Sequence, residues 1–84
     1  MGVSEHDAAP ALVVFPDPAS TELRIPAADG KRMHARLYDM LGQLVLKQQV
    51  TGLLPVAGLA PGSYHLLITD GKGHIQGRTH FVKQ

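Results

Sequence analysis

Turn-forming residues recur along this chain at short, regular intervals, and that spacing limits the folds open to it. The turn clusters are "FPDPAS" (15–20), "PAADGK" (26–31), "DMLG" (39–42), "TG" (51–52), "GLAPGS" (58–63) and "DGKG" (70–73). They separate seven short runs suited to strands: 11–15, 21–25, 33–38, 43–50, 53–57, 64–69 and 74–82. Strands interrupted by turns about every 8–12 residues predict an all-β chain and are typical of a β-sandwich.

Size and composition fit one small domain. The chain has 84 residues, of which 44% are apolar and 18% charged, enough for a single core. "MGVSEHDAAPA" lacks the basic stretch and apolar region of a signal peptide, so we expect a flexible leader over 1–10 and a domain over 11–84. The net charge of +1 does not favour nucleic acid as a partner. No apolar run approaches the ~20 residues of a membrane span, so membrane insertion is not expected.

The last two runs can be tested as a hairpin. If "DGKG" is the whole loop, Thr69 faces His74, Ile68 faces Ile75 and Tyr64 faces Thr79. One side then collects the mainly apolar set Tyr64, Leu66, Ile68, Ile75, Thr79 and Phe81. Such agreement in parity between two strands is what a sheet with one buried face requires.

The segment 32–49 allows two interpretations. As a hairpin turning at 39–42, it directs Met33, Ala35 and Leu37 inward, and then Leu44 and Leu46. As a helix, it also forms an apolar stripe at spacings of three and four residues: Met33, Leu37, Met40, Leu41 and Leu44. Gly42 in mid-segment costs a helix about 1 kcal/mol relative to Ala, which favours the hairpin.

Proline and glycine mark further positions. Pro16, Pro18 and Pro26 lie in turns, whereas Pro55 lies inside a short run that should therefore be an edge strand. Gly62 is expected to take a positive φ before the strand that starts at Tyr64. Tyr64 is similar to the tyrosine corner of sandwich domains, whose hydroxyl bonds back to the preceding turn, although a plain core aromatic is the simpler alternative.

The polar residues give little support to catalysis or metal binding. His65 and His80 are expected on one face as diagonal neighbours, about 7–8 Å apart, but without a carboxylate or thiolate to complete a zinc site. The chain has no cysteine, no G-x-S-x-G nucleophile motif and no glycine-rich phosphate loop. We therefore expect no enzyme activity, no metal and no cofactor.

Four segments resemble, in order, the type A C-terminal sorting domains of the bacterial type IX secretion system. They are "VVFPDPASTELRI" (13–25), "ARLYDMLGQLVLKQ" (35–48), "LPVAGLAPGSYHLLI" (54–68) and "THFVKQ" (79–84). Asp17 stands where the family usually has Asn, and a turn accepts either residue. His80 stands where the family often has Lys, so an imidazole replaces an ammonium group at that position.

The resemblance implies an immunoglobulin-like sandwich of about seven antiparallel strands and the hairpin interpretation of 32–49. It also implies the C-terminal address of a larger secreted cargo protein from the Bacteroidota group. The cargo would pass through the periplasm, be read by the outer-membrane translocon, and reach the cell surface or the medium. In many family members a sortase-like peptidase removes the domain, usually within the linker, here residues 3–12.

The tail of the chain is where we expect recognition. The residues proposed for it are His80, Phe81, Val82, Lys83 and Gln84, and hairpin parity directs Val82 outward. A last strand at a sheet edge allows a receptor to add a strand, and it also allows an edge-to-edge dimer. The positions expected to shape the turns and the corner are Pro16, Pro18, Gly42, Leu59, Gly62 and Tyr64.

The alternative function is a fibronectin-like or carbohydrate-binding sandwich module, although fibronectin type III modules usually carry a tryptophan and this chain has none.

Overall fold

The computed structural model describes residues 12–84, so the expected leader lies outside the described residues. Within them the chain forms six strands and one short 3₁₀ turn, Pro26–Ala28, and no α-helix. The strands are β1 (Glu22–Arg24), β2 (Met33–Tyr38), β3 (Leu44–Val50), β4 (Leu53–Pro55), β5 (Gly62–Thr69) and β6 (Ile75–Lys83). Residues 12–84 contain no helix that is long and apolar enough to cross a membrane.

The strands form two antiparallel sheets, as an immunoglobulin-like sandwich requires. The larger sheet has the order β3-β2-β5-β6 and the smaller one pairs β1 with β4. Pro55 lies in β4, which among the described strands pairs with β1 alone, and this confirms the expected edge position. The run predicted over 11–15 is reduced to an isolated bridge between Phe15 and Arg24, with residue 11 outside the described residues.

The core lies between the two sheets. From the larger sheet, alternate residues of β2 and β5 point inward, and they include the fully buried Leu37, Leu66 and Ile68. From the smaller sheet, Leu23 and Leu54 are completely buried against them. Burying a side chain of this size contributes about 1.5–3 kcal/mol, so period-2 alternation fixes which face of each strand is covered.

Two hairpin turns share one construction. Asp39 and Asp70 each begin a five-residue segment whose fourth residue is a glycine with positive φ, Gly42 (+80°) and Gly73 (+86°). In each turn one carboxylate oxygen accepts two backbone N–H groups, those of residues two and four positions later, at 2.8–3.0 Å. The glycine N–H then donates to the aspartate carbonyl. These sequences turn because an aspartate caps the loop and a glycine tolerates the left-handed conformation.

A β-bulge lies next to the turn that begins at Asp70, and the register of the last hairpin differs from the predicted one. Tyr64 pairs with Phe81 and Ile68 with Gly77, two positions away from the expected partners. The register shifts between Ile68 and Thr69, so that Thr69 pairs with Ile75. Ile75, predicted to be inward, is consequently 46% exposed. The predicted register was wrong because the capped turn closes on the Asp70–His74 pair and places an extra residue in β6.

The segment 32–49 is a hairpin, which confirms that interpretation over the helix. Met33, Ala35 and Leu37 are buried as expected. The register shifts between Leu37, which pairs with Leu46, and Tyr38, which pairs with Leu44. The prediction that Leu44 faces in was therefore wrong: it is 51% exposed, because the bulge reverses the parity of the first residue of β3.

Candidate functional site

The C-terminal strand β6 forms one edge of the larger sheet, with β5 as its partner strand. Its residues alternate between the core and the outside. Phe81 is completely buried and Lys83 is 7% exposed, whereas Val82 is 42% exposed. His80 and Gln84 are exposed too. Of the five residues proposed for recognition, the structure thus presents the side chains of three to the surface.

The opening segment 12–19 lies along the outer edge of β6. Ala19 donates its N–H to the carbonyl of Val82 at 2.8 Å, and its own carbonyl accepts the N–H of Gln84 at 2.8 Å. A side-chain oxygen of Asp17 accepts the N–H of Val82 at 3.0 Å. Farther along the strand, Leu12 donates its N–H to the carbonyl of Arg78 at 3.2 Å. These contacts form a parallel bridge between Ala19 and Lys83 and tie the two ends of the domain together.

The opening segment covers part of the outer edge of β6, so fewer backbone groups of the tail are available to a partner. Because backbone groups alternate along an antiparallel strand, the N–H and C=O of His80 point outward like those of Arg78 and Val82. Val82 already uses both groups on the opening segment, so the edge there is not open for pairing. Strand addition to the tail, or an edge-to-edge dimer through it, would have to displace residues 17–19.

The corner before β5 has the geometry expected of it. The hydroxyl of Tyr64 donates to the carbonyl of Ala60, four residues earlier, and the ring is buried. Gly62 has the positive φ that the sequence predicts, at +155°. Leu59 is half-buried and packs against the core. The ring of Tyr64 also stacks on Phe81 with centroids 5.9 Å apart, so the corner supports the tail strand directly.

The remaining positions expected to shape turns divide between two regions. Pro16 and Pro18 lie in the opening segment, where both preceding peptide bonds are cis. Gly42 lies in the turn of the β2–β3 hairpin. The opening segment therefore combines a proline-rich turn with the hydrogen bonds to β6, whereas the hairpin turn lies beside the tail, where Met40 lines a shallow depression with Tyr64 and His80.

His65 and His80 are closer than the sequence predicts. They pair directly across β5 and β6, because the register is shifted by two, and their ring centroids lie 5.9 Å apart in an edge-on arrangement. Within residues 12–84 there is no group of three or more histidine, aspartate or glutamate side chains placed to hold a metal ion. The pair thus has no third ligand, and the geometry does not favour a metal site.

Asp70 is a titratable group whose pKa is shifted, and its role is to close a turn. The N–H of His74 donates to the Asp70 carboxylate, and this hydrogen bond is the main reason why the pKa of Asp70 is lowered from its ordinary value. Partial desolvation opposes the shift, and the N–H of Lys72 and the charge of the His74 ring add to it. The His74 ring lies 3.4 Å from the same carboxylate and is 72% exposed. The pair closes a turn and has no nucleophile beside it.

A shallow depression lies on the outer face of the larger sheet. It has a volume of about 400 Å³, is open to solvent, and is lined by Tyr38, His65, Leu67 and Arg78 with two neighbours. Two of the aromatic side chains, Tyr64 and Phe81, are buried. Phe15 is 45% exposed. This arrangement lacks the row of exposed rings on which a carbohydrate-binding module stacks sugars.

Fold and surface together define a small immunoglobulin-like module whose ordered C-terminal edge strand is held by the segment that opens the domain. The family model described as "Secretion system C-terminal sorting domain" matches residues 13–83. The chain therefore belongs to the family of C-terminal sorting domains of type IX secretion. Comparison with curated proteins and with solved structures gives no match.

Family membership carries a coarse function with it. The domain is a sorting signal of type IX secretion, a tag and not a member of a catalytic family. Such a tag implies a cargo protein, the type IX secretion machinery, and export toward the outer membrane and the cell surface or the medium. The sequence predicts Asp17 in a turn between two prolines, but it does not predict the contact of Asp17 with the tail.

Proposed function

We propose that this chain is a C-terminal secretion signal that directs a cargo protein joined to its N-terminal side through the type IX translocon. In this proposal the cargo and its signal fold in the periplasm, the translocon reads the signal there, and the cargo crosses the outer membrane. A sortase-like peptidase then cuts within residues 3–12 and links the cargo to the surface.

The exposure of Val82 is the observation that carries the proposal. A valine that is 42% exposed at the end of a well-paired edge strand adds little to the stability of the isolated domain. It does supply apolar area to a receptor, and His80 stands beside it on the same face of β6.

The five tail residues have different parts in this proposal. His80, Val82 and Gln84 contact the receptor through their exposed side chains. Phe81 and Lys83 hold the strand in place: Phe81 lies in the core against Tyr64, and the Lys83 ammonium donates to the terminal Gln84 oxygen at 2.7 Å. Substitution of the two inward residues would then impair sorting through loss of the fold.

The receptor is proposed to read a composite surface. Asp17 and Ala19 occupy the outer edge of the tail, so a receptor that approaches Val82 also meets the opening segment. Recognition of both ends would report that the domain is folded, since residues 65 positions apart come together only in the native state. This arrangement favours side-chain contact with the assembled surface over strand addition at Val82.

A reporter fusion tests the proposal. The full chain is joined to the C-terminus of a reporter protein that carries a signal peptide, in a host with an active type IX system and in a mutant that lacks the translocon. We expect the reporter at the cell surface or in the medium of the first host only. A folded fusion retained in the periplasm of the competent host would overturn the proposal.

A further inference from the structure

The outer face of the larger sheet is a basic surface that does not contact the smaller sheet. Cross-strand pairing places on it Lys47 opposite Arg36, and Leu67 between Arg36 and Arg78. We call this surface the basic face. It consists of Lys47, Arg36, Leu67 and Arg78 in one row, Tyr38, His65 and His80 in the next, and His34 in the third.

Among residues 12–84, the positive charges in this row have no ion-pair partner. The carboxylates of the described residues lie in turns or on β1, at Asp17, Glu22, Asp29, Asp39 and Asp70. Within residues 12–84, no carboxylate oxygen lies within ion-pair distance of Arg36, Lys47 or Arg78. Like charges that face each other directly across two strands are destabilising, so the Arg36–Lys47 pair lowers the stability of the isolated sheet.

Arg36 adds an unpaired polar atom. Its side chain is half-buried, and its Nε is buried without a hydrogen-bond acceptor among the residues that the structure describes. Leaving a buried donor unsatisfied carries a desolvation cost, so buried polar groups are normally hydrogen-bonded. Nearby on the face, Tyr38, Leu67 and Arg78 line the open depression of about 400 Å³. An anionic group bound there would contact both the Arg78 cation and the apolar side chain of Leu67.

We propose that the basic face binds an acidic segment of a partner protein, laid across the strands along the row of cations. The row spans four strands, about 14 Å at ~4.8 Å per strand, which is the length of a short extended peptide. Arg36 and Arg78 pair with its carboxylates, and Leu67 and Tyr38 contact its apolar side chains. Arginine suits this partner because its planar guanidinium matches a carboxylate with two hydrogen bonds.

Charge number and backbone geometry favour a polypeptide over a phosphate-bearing surface. Binding to an anionic membrane usually takes a cluster of about 4–8 lysines and arginines, and this face has Lys47, Arg36 and Arg78. Phosphate sites commonly use helix N-termini or loops of backbone N–H groups. The face is instead one side of a β-sheet, and residues 12–84 contain no α-helix.

This inference goes beyond the proposed function, since it assigns a ligand to the row of cations. That row reaches β6 at Arg78, on the same face as His80 and Val82 but four residues before Val82. It can be tested with the isotope-labelled full chain by following backbone amide signals in low salt. The probes are a short capped peptide in which Glu alternates with Val, a matched peptide with Lys for Glu, and vesicles of phosphatidylglycerol or of phosphatidylcholine. We expect the Glu peptide to shift the amide signals of Arg36, Leu67 and Arg78, and the Lys peptide to shift none.

A pair of variants makes the test specific. Arg78→Gln on the basic face should weaken binding of the Glu peptide by about tenfold, the loss of one charge-assisted contact. Arg24→Gln, an exposed arginine on β1, should leave the affinity unchanged. The proposal is overturned if the Glu peptide does not shift the amide signals of the basic face, or if the two variants bind the Glu peptide with equal affinity. It is also overturned if the chain binds only the phosphatidylglycerol vesicles. The last result would identify a membrane surface as the partner.

Discussion

A side-chain oxygen of Asp17 accepts the backbone N–H of Val82 at 3.0 Å, across 65 positions of the chain. The contact joins the proline-flanked turn that opens the domain to the exposed residue of its tail. With the two hydrogen bonds of Ala19, it makes the tail part of the folded domain and not a free extension.

Asp17→Ala should lower the free energy of unfolding by about 1 kcal/mol and speed hydrogen exchange at the Val82 amide, because its acceptor is lost. Asp17→Asn should change stability by less than about 0.5 kcal/mol, since the amide oxygen still accepts. Urea unfolding and amide exchange measured on the three proteins check both statements. Equal exchange rates at Val82 in all three would show that the contact does not hold the tail.

Tyr64→Phe should destabilise the domain by about 1 kcal/mol in urea unfolding, because the Ala60 carbonyl loses its hydroxyl donor while the ring keeps its stacking on Phe81. Tyr38→Phe is the matched control: Tyr38 is half-buried on the outer face. Tyr38→Phe should lower the free energy of unfolding by less than Tyr64→Phe does. If the two changes destabilise equally, the corner hydrogen bond adds nothing.

Gly73→Ala should destabilise the domain by about 1 kcal/mol, because the residue has φ +86° and an L side chain is strained there. Gly71→Ala in the same turn is the control, since φ at Gly71 is not in the left-handed region and an added Cβ meets no atom within 4 Å. Thermal unfolding of both variants measures the difference. A Gly71→Ala variant as unstable as Gly73→Ala would refute the assigned turn conformation.

Asp70 makes stability depend on pH in the acid range. Its pKa is lowered in the folded state, so its contribution is fully present above the unfolded-state pKa of about 3.9 and is lost as the pH falls through the folded-state pKa. The advantage of the native chain over Asp70→Asn should therefore shrink below about pH 4. Titration of the carboxyl signal by NMR checks the shift, and a midpoint at or above the ordinary value would contradict it.

Much of the fold could be predicted from local pattern. Alternation in β2 and β5 predicted the inward residues, Pro55 predicted an edge strand, and the positions of Gly62 and Tyr64 predicted the corner. These features depend on a strand and its adjacent turn, which lie within a few residues. Comparison of the segments with a known family then selected the hairpin for 32–49.

The misplaced residues follow from two bulges. Leu44 and Ile75 were expected in the core, yet each lies just past a turn where the register shifts. The shift depends on how an aspartate-capped turn closes, and a count of alternating residues does not include it. The Asp17–Val82 contact escaped prediction for another reason: a pairing between the ends of the chain leaves no periodic signal within either segment.

Export of matched valine variants tests the central claim most directly. In the reporter fusion, Val82→Ser removes the exposed apolar side chain of the tail, and Val45→Ser removes a valine of similar exposure, 40% against 42%, from the opposite edge strand β3. Both purified variants should fold like the native domain. We predict that Val82→Ser lowers export several-fold while Val45→Ser exports normally; equal export of the two would contradict recognition through the tail.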